Sequence, residues 1–360
     1  MIRSLKEAMG RYTREQTYDQ PTVFRMTGAA VLAVRLILGW IYWGGGTRRF
    51  IYAPAKLDPH AHSWMANKLQ GGMPGAVFGL SHVLSHILQH PALVYWLLVL
   101  VSAAELVSGL GLILGVLTRA CAGLSMALSV SLMLVFGWQG ATCIDEWTMA
   151  TSTFAMGCTI FVAGSGIWAI DSWLMRRHPR LADAGWFRWF GSAPFTARET
   201  EGWGKGLAIV AAIFTLVSYN YYRGSIYSKF HGGPVSPGKH HISLSQATLH
   251  KDGGVKVLAY LDGGTPAVPS HIVAVIVKGQ NGVVESWKGK ALEKAAKGHI
   301  KNIYRYNKFK PGLFGLKAKM GAKAWITLTP ATAVHVGTGR YTVVFENING
   351  KKFKTEAARS

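Results

Sequence analysis

The sequence has 360 residues and a formal net charge of +22 at pH 7, with 39 Lys and Arg side chains against 17 Asp and Glu. This length allows two domains, and the charge predicts anionic partners. Nucleic acid is the least favoured of them, since no nucleic-acid-binding motif accompanies the charge. The cysteines, Cys121, Cys143 and Cys158, form no Cys-x-x-Cys or haem-attachment motif, and no Rossmann fingerprint or P-loop occurs. The sequence therefore announces no flavin, haem or metal cofactor.

Apolar runs dominate the first 223 residues. Residues 1–25 are charged and are expected to form a cytoplasmic tail with no cleavable signal peptide. Five runs follow, each close to the roughly 20 residues that cross a bilayer as a helix. They are Met26–Gly46, Ala92–Leu117, Ala120–Trp138, Thr148–Ile170 and Gly206–Tyr222. Buried core helices of a soluble protein are the alternative, which five such runs in one chain disfavour.

The distribution of Lys and Arg predicts the topology. The connection Asp171–Lys205 is basic, and Arg119 marks the turn between the second and third runs. The segment Gln139–Trp147, within the hinge Gly137–Trp147 between the third and fourth runs, contains no Lys or Arg. We therefore expect a multi-pass protein of the inner membrane, with its N-terminus in the cytoplasm and its hinge and C-terminal domain outside. The outer connection Arg48–Pro91 carries basic residues against this rule, which we interpret as the mark of an anionic ligand.

Two charged residues fall inside the apolar runs. Counted from the cytoplasmic ends, Arg35 and Glu105 lie near mid-membrane at similar depth. Charges at that depth are costly and normally pair, so an ion pair between the two helices is expected. A proton relay or a contact to a quinone headgroup is the functional alternative.

Three histidines recur at helical spacing in the outer connection. His82, His86 and His90 follow one another at i, i+4 and i+8, with apolar residues on the other face. This pattern predicts an amphipathic helix at the membrane interface with a solvated or lipid-headgroup face. A metal site is the less favoured alternative, because compact sites rarely use three successive turns of one helix.

The hinge Gly137–Trp147 is the most concentrated chemistry in the chain. Cys143, Asp145 and Glu146 lie together between two apolar runs. A thiolate favoured by nearby arginines would react with a sulfur compound, and either carboxylate would carry protons released or taken up by a quinone. An inert thiol is the alternative for Cys143. The flanking Trp138 and Trp147 are interpreted first as interfacial belt residues and second as quinone-stacking rings.

Beyond residue 223 the chain becomes polar, rich in lysine and punctuated by glycine. Seven short alternating segments predict an antiparallel β-sandwich. They are Ile242–Leu249, Val255–Leu261, Ile272–Lys278, Val283–Trp287, Ile300–Tyr306, Ala324–Thr329 and Tyr341–Asn347. The lysines form a broad positive field that either steers anions to the membrane surface or binds a partner. No catalytic triad or metal cage is visible in this domain.

Several motifs together support a resemblance. They are Arg35-Leu-Ile-Leu-Gly39, Arg48-Arg-Phe50 with Pro54-Ala-Lys-Leu-Asp-Pro59, Glu105 followed by Gly109 and by Leu114–Arg119, and the hinge. This part resembles the DoxD subunit of thiosulfate:quinone oxidoreductase, within the broader DoxX-like membrane family. The remainder, one span followed by an exported β domain, is similar to the DoxA subunit. The chain thus resembles a natural DoxD–DoxA fusion.

The resemblance implies a membrane α-helical bundle followed by an exported all-β, immunoglobulin-like sandwich. The expected parts are a four-helix DoxX-like unit, a cytoplasmic linker, a fifth transmembrane helix and a DoxA-like β-sandwich. Their ranges are 26–175, 176–205, 206–223 and 224–360.

The implied activity is oxidation of thiosulfate to tetrathionate on the outer face, with membrane quinone as the electron acceptor. From charge and placement we expect thiosulfate at Arg48, Arg49, Lys56 and His60, and catalysis by Cys143, Asp145 and Glu146. The expected quinone contacts are Arg35, Trp40, Trp43, Glu105, Trp138 and Trp147. The lipid bilayer is an expected partner, and the sequence leaves open whether the chain forms a homo-oligomer. A non-enzymatic scaffold for another redox complex is the alternative function. An anion transporter is disfavoured because inverted repeats are lacking.

Overall fold

The fold consists of long helices followed by a β domain. The computed structural model describes residues 20–52, 56–61, 63–139, 146–223, 240–266, 268–332, 336–337 and 339–359. In these residues the long helices are α1 (Gln20–Phe50), α4 (Pro91–Leu114), α5 (Thr118–Phe136), α6 (Glu146–Ala163) and α10 (Ala197–Arg223). Each of the five predicted spans corresponds to one of them.

Among the residues that the structure describes, four helices are long and apolar enough to cross a membrane. Their qualifying segments are Thr22–Phe50, Pro91–Leu114, Thr118–Phe136 and Ala197–Asn220. α6 has 18 residues, begins at Glu146 and contains several threonines; it is the shortest of the five and is not among the four that qualify. The chain is therefore a multi-pass membrane protein. Which side each connection faces stays a prediction.

The last long helix begins earlier than hydropathy indicates. The predicted span starts at Gly206, whereas α10 starts at Ala197. Thr196 and Glu199 explain the difference, because they form a reciprocal cap. Glu199 Oε2 accepts hydrogen bonds from the Thr196 backbone N–H and hydroxyl, and Thr196 Oγ1 accepts one from the Glu199 N–H. The cap therefore makes the first turns of α10 helical, although these turns are too polar to be recognised by hydropathy.

Short helices fill the two long connections between the spans. The first contains α2 (Met65–Gly72), a 3₁₀ turn (Met73–Gly75) and α3 (Leu80–Gln89). The second contains α7 (Ile170–Arg177), α8 (Arg180–Asp183) and α9 (Gly185–Phe190). α3 confirms the predicted helix over His82 and His86 and ends just before His90; all three histidines are exposed. Its Leu84 and Leu88 are buried in a cluster with residues of α2 and α4, so the apolar face of α3 packs largely against protein.

The C-terminal domain is a ten-stranded, barrel-like sandwich with a single helix, α11 (Gly289–Ala296), in its described part. The strands are β1 (His241–Leu249), β2 (Val255–Gly263), β3 (Ser270–Gly279), β4 (Gly282–Lys288), β5 (Ile300–Asn302), β6 (Phe309–Gly312), β7 (Gly315–Ala318), β8 (Lys323–Leu328), β9 (Tyr341–Asn347) and β10 (Lys352–Arg359). The sheet order is β5-β8-β2-β1-β10-β9-β3-β7-β6, and β4 pairs with β3. All pairs are antiparallel except β1 with β10, which is parallel.

A single side chain joins the two ends of this sheet order. The amide of Asn302, on β5, donates to Phe309 O and accepts from Phe309 N on β6. Alternate residues of β2, such as Val255 and Val257, are fully buried in the core. The predicted all-β sandwich is therefore confirmed, with more strands than the seven predicted.

The chain divides into two compact units. The first unit contains residues 1–47, 103–128 and 152–213, and the second contains residues 48–102, 129–151 and 214–360. Each long helix contributes to both units. The connections predicted on the cytoplasmic side belong to the first unit, and those predicted on the outer side belong to the second, together with the β domain.

Candidate functional site

In the first unit, α1 and α4 approach each other through glycine. A Cβ on Gly109 would collide with the backbone nitrogen of Trp43, and one on Gly39 would lie 3.1 Å from Gly109 O. Small residues permit such backbone contact between membrane helices. This crossing fixes the register of the two helices, and so decides which of their charged residues meet.

Arg35 and Glu105 do not form the predicted ion pair. Arg35 lies opposite Gly115, where its Nη1 would be 3.0 Å from an added Cβ. Glu105 lies opposite Gly45, with Oε2 2.6 Å from an added Cβ. Gly45 follows Arg35 by ten residues, which is about 15 Å of helix. The expected similar depth was therefore wrong, because counting from the ends of the runs ignores the register that the glycine crossing imposes.

Arg35 binds backbone carbonyls instead. It is fully buried, its Nη1 donates to Ser165 O, and its Nη2 donates to Trp168 O at 2.8 Å. These carbonyls belong to the turn between α6 and α7. Arg35 thus ties α1 to that turn, and these two guanidinium nitrogens are engaged by protein.

A buried carboxylate that the sequence analysis did not single out lies close by. Asp171 is fully buried and accepts hydrogen bonds from the N–H groups of Leu117 and Thr118, the Thr118 hydroxyl and the Ser192 hydroxyl. Its charge is also within electrostatic range of Arg35 and Arg119. Asp171 therefore caps the start of α5 and offsets part of the positive charge of the two buried guanidinium groups. Its position in a basic connection gave no signal of this role.

Arg119 is as deeply buried as Arg35. Its Nε donates to Phe161 O at 2.8 Å, and its Nη1 donates to the carbonyls of Arg188 and Ala193 at 2.7 and 2.6 Å. Its guanidinium carbon lies 3.7 Å from the centre of the Phe195 ring. Arg119, which the sequence analysis used only as an indicator of topology, therefore also joins α5 and α6 to the second connection between the spans.

A large apolar cavity of about 860 Å³ also lies in the first unit. It is bounded by α1 at Phe24 and Val31, by α6 at Ala155, and by α10 at Ala208, with Arg119 in its wall. Volume and lining suit a hydrophobic molecule such as a lipid chain or a quinone tail. None of the predicted quinone contacts lines this cavity.

In the second unit, Glu146 stands in the first turn of α6. Its Oε1 pairs with Lys68 Nζ of α2, and its Oε2 is buried with no hydrogen-bond partner among the residues described. A carboxylate in a helix's first turn is favoured by the helix dipole. The other two predicted catalytic residues, Cys143 and Asp145, lie outside the described residues.

The two hinge tryptophans are buried, which contradicts their assignment to an interfacial belt. Trp138 is 2% exposed, and its Nε1 donates to Gly72 O at 2.9 Å. Trp147 is 8% exposed, donates to Ser218 Oγ at 3.0 Å and packs on the Tyr219 ring. Both indoles are core residues that join the ends of helices. Neither presents an open face for quinone stacking.

The predicted thiosulfate residues lie at and after the end of α1. Arg48 and Arg49 occupy its last turn, where Arg48 is exposed and Arg49 half-buried. Lys56 is half-buried, and His60 is exposed with its N–H donating to Asp58 Oδ1. None of these residues lines the apolar cavity of the first unit.

The predicted quinone residues of the first unit differ in exposure. Trp40 is 59% exposed, whereas Trp43 and Glu105 are half-buried. Trp43 lies at the glycine crossing, and Glu105 lies beside Gly45, two residues further along α1. Trp43 and Glu105 are therefore close together, and Arg35 is not with them.

In the second unit, the β domain and the first connection share a polar lock. Gln70 of α2 is fully buried and donates to the carbonyls of Asn307 and Gly321 at 2.9 and 2.8 Å. It accepts from Asn307 N in return. Gly321 has φ +79°, and a Cβ there would collide with Gln70 O, so glycine is required.

Tyrosines extend this lock. The Tyr304 hydroxyl bonds Ser85 Oγ at 2.7 Å, and the Tyr306 ring packs edge-on against Trp64. Burial raises the pKa of Tyr304 and Tyr306, and burial with the neighbouring Tyr304 and Asp262 raises the pKa of Tyr260. The segment Ile300–Tyr306, predicted as one strand, is a strand only to Asn302 because its tyrosines turn onto the helices.

Comparison with protein families divides the chain at α10. Residues 31–191 match the family model described as TQO small subunit DoxD. Residues 222–356 match the model described as TQO small subunit DoxA. Most of α10 lies between the two matched ranges, so the DoxA match corresponds to the β domain without its preceding helix.

Proposed function

Because the chain belongs to the DoxD and DoxA families of small subunits of thiosulfate:quinone oxidoreductase, we propose that this membrane protein oxidises thiosulfate and reduces membrane quinone. The observation that carries the proposal is the presence of both subunit families in one chain. A multi-pass bundle suits a reaction whose electron acceptor is dissolved in the bilayer.

The proposed reaction joins two substrate anions. Two thiosulfate dianions lose one electron each and form a sulfur–sulfur bond, which gives tetrathionate. One quinone takes up the two electrons and two protons and becomes quinol. We place the sulfur chemistry on the outer face, where the hinge and the basic first connection are expected from the distribution of Lys and Arg.

The first task of such an enzyme is to overcome the repulsion between two dianions. Arg48 and Arg49 are adjacent at the end of α1, and Lys56 and His60 follow within the same connection. Clustered cations in a partly dry site offset this repulsion. Arg49 is the first choice for a direct contact, since it is half-buried and Arg48 is more exposed.

The second task is to place the quinone near the anions. We retain Trp40, Trp43 and Glu105 as quinone contacts and remove Arg35, Trp138 and Trp147, whose polar groups bind protein backbone or core residues. Along α1, Trp43 and Arg48 are five residues apart, which is about 8 Å of helix rise. Glu105 would give a proton to the reduced quinone.

The hinge would supply the remaining chemistry. Glu146, with one carboxylate oxygen on Lys68 and one without a described partner, is suited to accept or give a proton. Cys143, with Asp145 beside it in sequence, is proposed to hold a transient sulfur adduct. Its thiolate and one thiosulfate give two electrons to the quinone and form a sulfur–sulfur bond, and the second thiosulfate then attacks the sulfane sulfur of this adduct, which breaks the bond to Cys143, releases the thiolate and forms tetrathionate. These roles rest on residue type and placement in the chain.

The proposal is tested with the purified full-length protein, using thiosulfate as donor and a short-chain quinone as acceptor. We expect thiosulfate-dependent quinone reduction, and a KM for thiosulfate at least tenfold higher in Arg49→Gln, because a charge-assisted contact to the dianion is lost. Arg25→Gln is the matched control, since Arg25 is exposed on the same helix at its other end. Absence of turnover in the wild type would favour the scaffold function, and an unchanged KM in Arg49→Gln would contradict the anion site.

A further inference from the structure

The β domain contains a second, polar cavity of about 350 Å³. It lies where β3 begins and where β9 turns toward β10. The polar groups in its wall come from His240, Ser270, His271, Asn347 and Asn349. The sequence analysis singled out none of these residues.

Asn347 is the buried donor of this cavity. It is 4% exposed, and its Oδ1 accepts the backbone N–H groups of Asn349 and Lys351 at 3.1 and 2.9 Å. These bonds fix the orientation of the amide and leave Nδ2 at the cavity without a hydrogen-bond partner among the described residues. An amide N–H₂ group held in this orientation offers two donor hydrogens to the acceptor oxygens of a ligand.

Two imidazoles line the same space. His240 Nδ1 lies 3.3 Å from Ser270 Oγ, which links the two side chains. His271 packs edge-on against Phe314, and its Nδ1 is buried without a hydrogen-bond partner in the described part of the chain. Each ring can present an N–H donor to a bound oxygen atom.

The electrostatic surroundings are positive. Lys351 Nζ donates to His240 O at 2.7 Å, which brings an ammonium group to the cavity's edge. Lys317 is directly opposite His271 in the β3–β7 pairing. No Asp or Glu is found among the described residues that line the cavity. From His240 to Ser360 the chain has 19 Lys and Arg residues against six Asp and Glu. Such a field favours an anion over a neutral ligand or a cation.

We propose that this cavity binds a divalent tetrahedral oxyanion, and that the anion is thiosulfate. Amide, imidazole and hydroxyl donors in the wall, with lysine ammonium groups nearby, match the several acceptor atoms of such an ion. The naming of thiosulfate rests on the proposed function, whereas the class of ligand follows from the cavity. The β domain would then hold substrate itself, at a site separate from the cations at the end of α1.

Asn347→Asp in the full-length protein tests the site, with thiosulfate binding measured by isothermal titration calorimetry. The carboxylate keeps the acceptor for Asn349 and Lys351 and replaces the free N–H₂ with an oxygen that repels anions. We expect a binding event in the wild type that this variant weakens at least tenfold. His271→Phe keeps the aromatic contact with Phe314 but removes both ring nitrogens, and is expected to weaken the same event.

Asn281→Asp is the matched control. Asn281 is exposed in the turn after β3, at the end of that strand opposite to the cavity. The control variant therefore has the same net charge as Asn347→Asp, but its new carboxylate lies away from the cavity. Unchanged binding in Asn281→Asp supports a local site. Wild-type binding in Asn347→Asp, or equal weakening in both variants, would overturn the proposal.

Displacement of thiosulfate by sulfate, but not by chloride at equal ionic strength, supports recognition of a divalent tetrahedral anion. Displacement by chloride would contradict it.

Turnover measured on the same preparations separates this inference from the proposed function. If Asn347→Asp loses the binding event and the wild-type protein does not reduce quinone, the oxyanion site is supported and the proposed function is refuted. If the protein reduces quinone but Asn347→Asp binds thiosulfate as the wild type does, the proposed function is supported and the oxyanion site is refuted.

Discussion

At the scale of single residues, Arg35 and Glu105 are charged side chains within long apolar helices that lie beside different groups. Arg35 and Glu105 were singled out because charges inside apolar runs need partners. Their partners depend on the register at Gly39 and Gly109, a contact that no local pattern encodes. Asp171, which lies near both Arg35 and Arg119, gave no signal because it follows an apolar run in a connection already rich in charge.

Glu105 gives a residue-scale prediction about quinone reduction. Glu105→Gln removes the carboxyl that is proposed to give a proton to the reduced quinone, and is expected to slow quinone reduction about 100-fold. The rate with a water-soluble one-electron acceptor that takes up no proton should change little.

Glu356→Gln is the matched control for this prediction, since Glu356 is exposed on β10 and has no proposed role in binding or catalysis. An equal loss with both acceptors in Glu105→Gln would show that the residue acts on thiosulfate or on folding and not on the quinone.

Tyr306 gives a prediction about pH. Its ring is 8% exposed, its hydroxyl is buried with no hydrogen-bond partner among the residues described, and burial raises its pKa. The neutral phenol therefore stabilises the fold below the ordinary tyrosine pKa near 10, and this contribution is lost as the pH rises toward the raised value. Tyr306→Phe should match or exceed the wild-type melting temperature at pH 8 and lose less of it above pH 10.

Tyr341→Phe provides the contrast. The Tyr341 hydroxyl donates to Gly337 O at 3.0 Å, so its removal should cost about 1 kcal/mol at pH 8. A Tyr306→Phe protein that melts lower than Tyr341→Phe at pH 8 would contradict this assignment.

At the scale of elements, long regular patterns were predictable and contact-dependent ones were not. The five helices follow from apolar length, but the first turns of α10 are polar and depend on the Thr196–Glu199 cap. β6 was missed because Phe309–Gly312 contains proline and glycine. β10 was missed because Lys352–Arg359 is charged on its outer face and buries mainly Phe353 and Ala357. Such segments become strands only through their neighbours in the sheet.

The polar lock between α2 and the β domain gives an element-scale prediction. Gln70→Ala leaves the Asn307 N–H and the carbonyls of Asn307 and Gly321 without their side-chain partner. Buried groups without partners cost about 1–3 kcal/mol each. The variant should melt at a lower temperature and show faster hydrogen exchange across residues 303–307.

The control for Gln70 is Gln89→Ala. Gln89 is exposed at the end of α3 and makes a hydrogen bond only to Ser85 O within the described residues. Equal exchange rates for residues 303–307 in Gln70→Ala and Gln89→Ala would show that the lock does not hold this loop.

At the scale of the whole molecule, the sequence predicted the order of parts better than the site. The membrane bundle, the β-sandwich and the two subunit families were all predicted, because each depends on composition and motifs spread over many residues. The site depends on a few side chains from distant segments. Two of the predicted catalytic residues, Cys143 and Asp145, lie outside the described residues, and the oxyanion cavity was not foreseen because His240, His271 and Asn347 are far apart in the chain.

The central claim is that this one chain couples thiosulfate oxidation to quinone reduction. The most direct measurement follows thiosulfate, quinol and tetrathionate together, using the purified protein in liposomes that contain quinone. We predict that two thiosulfate ions disappear for each quinol and each tetrathionate formed. Quinol formation without tetrathionate, or one thiosulfate consumed per quinol, would contradict it.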